Sequence, residues 1–80
     1  SVAELDVSIL FDNLAEWREL QQAVTGASLI QNARLDAVSR SGAAMTITHR
    51  GAREQVMAEL RARGAVLAED ETLGWTVRSR

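Results

Sequence analysis

Leu5-Asp6-Val7-Ser8-Ile9-Leu10-Phe11 passes through Asp12 into Asn13-Leu14-Ala15-Glu16-Trp17, and this stretch decides the fold. Leu5, Val7, Ile9 and Phe11 recur at every second position, the period of a strand with one buried face. Asn13 stands three residues before Glu16, the spacing of a capping box that satisfies the free N–H groups of a helix start. From there the period changes, because Leu14, Trp17, Leu20 or Gln21, and Val24 fall on one helical stripe. A strand therefore runs straight into a helix, expected over Leu14 to Thr25, with Gly26 expected to end it in the left-handed conformation.

Downstream, Ser28 to Ser39 carries Leu29, Ala33, Leu35 and Ala37 at even spacing, while Gln31 interrupts the pattern and Ile30 and Val38 point the other way. This predicts a second strand with a bulge. Arg40-Ser41-Gly42 is a turn, after which Ala43, Met45 and Ile47 alternate with Ala44, Thr46 and Thr48, so strands two and three form a hairpin. Past Gly51, Val56, Met57 and Leu60 mark a second helix that stops at Gly64, with Arg61 and Arg63 in the last turn complementing its dipole. Ala65 to Ala68 forms a fourth strand. Glu69 to Thr72 is an acidic turn, and Trp75 and Val77 share one face of a last short strand that returns on the fourth.

Two strand–helix–glycine–strand units follow one another, which predicts an α+β, ferredoxin-like βαββαβ fold with a short C-terminal β extension. Each helix has one apolar stripe and each strand one apolar face, so both helices belong on one side of an antiparallel sheet. The expected core is Leu5, Val7, Ile9, Phe11, Leu14, Trp17, Leu20, Leu29, Leu35, Met45, Ile47, Val56, Leu60 and Val77. The other sheet face is then open and carries Asp6, Ser8, Leu10, Asn32, Arg34, Asp36, Ala44, Thr46, Thr48, Thr76 and Arg78.

Eighty residues, 46% hydrophobic and 25% charged, suffice for one core and no more. Residues 1–80 read as a single domain excised from a longer chain. With no cysteine there is no disulfide framework and no thiolate metal site. All nine basic residues are arginine, and the formal net charge of −2 gives no cationic field for nucleic acid or an anionic membrane. No apolar run approaches a membrane span, and Ser1-Val2-Ala3-Glu4 is not a signal peptide.

The usual chemistries of this topology lack their residues. RNA-recognition sheets stack bases on aromatic residues of the central strands, and the open-face positions here carry none. Metal-transport domains hold a soft metal with a cysteine pair after the first strand, where this chain has Phe11-Asp12-Asn13. Phosphoryl chemistry in that loop needs anion donors, and Asp12 repels an anion. His49, the lone histidine, lies at the end of the third strand with no serine and carboxylate at recognisable spacing, so it reads as exposed or backbone-bonded rather than as a general base. Glu69, Asp70 and Glu71 are consecutive and lack the alternate spacing and glycine turn of a calcium loop. No cofactor, metal ligand or catalytic residue is expected, and the chain does not read as an enzyme.

The segments Leu5-Asp6-Val7 through Trp17, Leu35-Asp36-Ala37-Val38-Ser39-Arg40-Ser41-Gly42-Ala43, His49-Arg50-Gly51, Glu54-Gln55-Val56, Gly64-Ala65-Val66-Leu67 and Gly74-Trp75 resemble the C-terminal domain of a bacterial family of exported proteins of unknown function. That resemblance implies a ferredoxin-like fold and a periplasmic or envelope location, and no catalytic residue. Phe11-Asp12-Asn13-Leu14 with Trp17 is also similar to the start of a helix in periplasmic domains of type II secretion inner-membrane assembly proteins. It implies a role in docking or self-association.

The expectation is thus a non-catalytic interaction or scaffold module with a protein partner, without nucleic acid and without membrane insertion by this segment. The alternative is a small-ligand sensor domain in which Asp12 and Asn13 hold an amine. The candidate surface is Leu10, Thr46, Thr48, Leu73, Trp75 and Thr76. Edge-to-edge pairing through the terminal hairpin ranks first, since strands without proline or lysine flanked by Leu67, Leu73, Trp75 and Val77 leave backbone groups unprotected. Face packing through Leu10, Thr46 and Thr48 ranks second, because it buries Asp6 and Arg34.

Overall fold

Strand and helix follow one another in the computed structural model as the alternation predicts, and residues 2–80 are described. The elements are β1 (Val2–Leu10), α1 (Leu14–Thr25), β2 (Ile30–Val38), β3 (Gly42–Arg50), α2 (Arg53–Ala62), β4 (Ala65–Asp70) and β5 (Gly74–Ser79). Asn13 caps α1 by accepting the Glu16 N–H at 2.8 Å. The Glu16 carboxylate reaches one residue further back than a capping box requires and takes the Asp12 N–H, also at 2.8 Å.

The five strands form one mixed sheet in the order β2-β3-β1-β5-β4. The expectation of a ferredoxin-like antiparallel sheet is corrected here: the sheet is mixed, because β5 lies against β1 and runs parallel to it, with Val7 opposite Trp75 and Ile9 opposite Val77. Both features follow from the terminal hairpin. The α2 crossover returns β4 in the direction of β3, so β5, reversed by a tight turn, must run with β1. Thr76 and Val77 are buried and suit the interior, whereas β4 ends in Glu69 and Asp70 and suits the edge. Its turn is closed by Asp70 Oδ1, which accepts the N–H groups of Thr72 and Leu73 at 2.8 and 3.0 Å. These bonds hold the Asp70 carboxyl below the usual carboxylate range, the one from Leu73 most.

Register assigns the faces. Leu5, Val7 and Ile9 pair with Ile47, Met45 and Ala43 on β3, and these residues join Leu20, Ala23 and Val24 of α1 and Val56 and Leu60 of α2 in one core. Trp17 packs on the rim of that core, its ring 5.2 Å from Phe11. Of the expected core members Leu5, Trp17 and Leu29 are half-buried against the core, and two are exposed. Leu14 is 60% exposed because the buried stripe of α1 begins a turn later, and Leu35 is 46% exposed because β2 is an edge strand. The predicted bulge is present twice, where register shifts between Ile30 and Asn32 and between Leu35 and Ala37. The first shift turns Ile30 into the core.

Gly26 is not left-handed, at φ −91°, which corrects the expected reason for it. A Cβ there would run into the Arg63 guanidinium and come within 2.9 Å of the Gln22 carbonyl. Arg63, just past α2, donates from Nε to the Ala23 carbonyl at 3.1 Å and thereby caps the end of α1. Gly64, at φ +92°, is the residue that makes the left-handed exit.

Candidate functional site

The face of the sheet turned away from the helices is floored by Asp6, Ser8 and Leu10 of β1, Ala44, Thr46 and Thr48 of β3, and Arg34 of β2, which register sets opposite Thr46. Two shallow, open depressions cross it, of about 360 and 430 Å³, and they share Ser8, Ala44 and Leu73. One is apolar and bounded by Leu10, Ala37, Val38 and Leu73. The other is polar and bounded by Asp6, Arg34, Asp36 and Thr46.

Four side chains form the polar half. Arg34 Nε donates to Asp36 Oδ1 at 2.8 Å, and its Nη2 donates to Thr46 Oγ1 at 3.2 Å. The Thr46 hydroxyl lies 2.7 Å from Asp36 Oδ2 and 3.0 Å from Asp6 Oδ1. Arg34 first, and then Thr46, hold the Asp36 carboxyl below the usual carboxylate range by hydrogen bonding to its charged form. A hydroxyl has one proton, so Thr46 serves one of the two carboxylates at a time. Asp36 has a guanidinium beside it, and Asp6 has no ion pair among the described residues.

The expected interaction residues divide between this face and the rest of the molecule. Leu10 and Leu73 line the same apolar depression, Leu73 rising from the β4–β5 turn at 50% exposure. Thr46 is buried in the polar network, and Thr48 is half-buried beside Glu4 and Asn32. Thr76 shares the face but is buried, its hydroxyl donating to the Ala68 carbonyl at 3.2 Å. Trp75 points to the helix side, where it packs on the core and the Arg53 guanidinium lies 4.6 Å from its ring centre.

The terminal hairpin also loses its role as a free edge. β5 is paired on both sides, so the open edges are β2, which carries two bulges, and β4. Bulges and terminal charges are the devices by which sheets resist edge pairing.

His49 also departs from expectation. It is 4% exposed rather than solvent-facing, because it lies on the helix side opposite Ala3 and Ile30, and its Nδ1 has no partner among the described residues. At the loop expected to hold an amine, the Asn13 side chain and the Asp12 N–H are both engaged in capping α1. Among the described residues no group of three His, Asp or Glu side chains is placed to hold a metal ion, and no helix is long and apolar enough to cross a membrane.

Sequence reasoning placed Asp6, Arg34, Asp36 and Thr46 on one face but did not foresee their network, which depends on the second bulge and on inter-strand register. It missed Ala37, Val38 and Gly42 as walls of the groove. The signal available was the run of small residues Gly42-Ala43-Ala44 opposite Ala37, which keeps the floor low. Comparison with known protein families, curated proteins and solved structures finds no match.

Proposed function

We propose that this domain is a non-catalytic interaction module that receives a partner polypeptide on its uncovered sheet face. The observation that supports this reading is the continuous groove on which Leu10 and Leu73 are held at the surface beside a hydrogen-bonded polar network. A shallow, open groove of this kind suits a chain laid along it better than a small molecule, which is ordinarily enclosed over most of its surface. The bulged β2 edge and the internal position of β5 favour the face over the edge as the contact.

We propose the cell envelope as the site of this encounter, a reading supported only by the resemblance to exported bacterial proteins and tested by fractionation of the native host. For the interaction itself, an aromatic photo-crosslinker is introduced at Leu73 and, separately, at the exposed Arg18 on α1. Adducts with another polypeptide at position 73 and none at position 18 are expected. Equal yields at both positions, or none at 73, overturn the reading.

A further inference from the structure

We infer that the occupant of the uncovered face is an extended polypeptide segment presenting a basic side chain to Asp6 and, two to four residues along, an apolar side chain to the seat between Leu10 and Leu73. This inference rests on the proposed interaction role and specifies the partner's chemistry.

Thr46 sits between two negative charges. Its single proton is contested by two carboxylates, and Asp36 already has the Arg34 guanidinium on its other oxygen. Asp6 is the under-served member, with no ion pair of its own among the described residues. Glu4, two residues back on the same strand and therefore the same face, is exposed and also has no ion pair among the described residues. Arg34 is the one guanidinium in this network, and it is aimed at Asp36 and Thr46. Around Asp6 this part of the face sets three carboxylates, Glu4, Asp6 and Asp36, against one guanidinium, with Arg50 and Arg78 lying further along it, and the local excess of negative charge selects a cation in the partner.

Beside these charges the face carries an apolar seat. Leu73 is half exposed on a turn, with Val38 also exposed, and both border a depression whose floor is Ser8 and Ala44. A side chain placed there removes Leu10 and Leu73 from water without displacing anything larger than a methyl or hydroxyl group. Asp6 and Leu10 are four residues apart on one strand, about 13 Å at the rise of extended chain. A partner chain lying along β1 therefore carries its basic and apolar groups at even spacing, because only alternate residues face the sheet.

The test is selection from a random dodecapeptide library displayed on phage, using the intact 80-residue chain as target. The enriched peptides are synthesised and titrated against wild type, Asp6→Asn and Leu73→Ser. Both substituted positions are exposed, and amide NMR spectra are recorded to check that each variant retains the fold. Expected are peptides with arginine or lysine two or four positions from a large apolar residue. Affinity should fall about fivefold in Asp6→Asn, as for an exposed ion pair, and tenfold or more in Leu73→Ser. Salt should weaken the wild type more than Asp6→Asn.

Enriched peptides without a basic residue, or with affinity unchanged in Asp6→Asn but lost in Leu73→Ser, overturn this inference and leave the interaction reading intact. Peptides indifferent to both substitutions, or no enrichment at all, overturn both. Dimerisation of the target that disappears in Leu73→Ser shows a second copy as occupant and likewise overturns the inference.

Discussion

Glu59 Oε2 accepts both the backbone N–H and the hydroxyl of Ser28, each at 2.7 Å, across 31 residues of sequence. Its other oxygen takes the Leu29 N–H at 2.9 Å. One carboxylate on α2 thereby ties down the turn that leads from α1 into β2, alongside the burial of Ala27 and Ile30 in the core.

These three bonds, the one from Leu29 first, hold the Glu59 carboxyl below the usual carboxylate range. A group depressed in the folded state stabilises above its unfolded pKa, and that contribution is lost as pH falls through the folded value. Glu59→Gln should therefore lower stability at pH 7 by about 1 kcal/mol, since the bonds are solvent-accessible. The gap between variant and wild type should close in acid. Urea denaturation at pH 7 and pH 3 measures it, and a gap that is constant with pH refutes the assignment.

Gly26→Ala should destabilise, because the added methyl group meets the guanidinium of Arg63 and the Gln22 carbonyl. The collision with Arg63 makes the effect non-additive. Gly26→Ala in an Arg63→Ala background should cost less than in the wild type, read as midpoints in a four-member denaturation cycle. Strict additivity would show that the glycine serves some other purpose.

His49→Leu should leave stability unchanged or raise it by up to about 1 kcal/mol, because it removes a buried nitrogen that has no partner among the described residues and keeps an apolar group of similar bulk. A loss of more than 2 kcal/mol on thermal or urea unfolding would mean that the ring makes a contribution its surroundings do not reveal.

Arg53→Gln should cost about 0.5–1 kcal/mol and shift the fluorescence of Trp75, over whose ring the guanidinium lies. The signal is isolated by replacing Trp17 with phenylalanine in both backgrounds. An unchanged emission maximum and quantum yield would place Arg53 in solvent.

The sequence carried the parts of the fold that local chemistry determines. Asn13 and Gly26 bound α1 at the expected residues, and Gln31 announced a bulge. What escaped it was set by competition between distant segments. Nothing in Gly74-Trp75-Thr76-Val77 alone states whether that strand or β4 takes the place beside β1, and the outcome depends on which of them buries better on both faces. The candidate groove divides in the same way. Its residues were legible from alternation, whereas the sharing of Thr46 between Asp6 and Asp36 arises from a register shift in β2 that moves side chains by one place.

The insertion of β5 between β1 and β4 has a consequence for how the chain reaches this structure. Val7 meets Trp75 and Ile9 meets Val77, so the centre of the sheet is closed by its earliest and latest strands. Until β5 arrives, β1 offers one unpaired side and β4 has no strand to join, and the pairs already formed by β1, β2 and β3 make an incomplete half. Such long-range closure slows folding, and it leaves a vacant strand position that another extended segment is able to fill. During synthesis that vacancy persists until residues 74–79 have cleared the ribosome, so the centre of this sheet is the last part of it able to close.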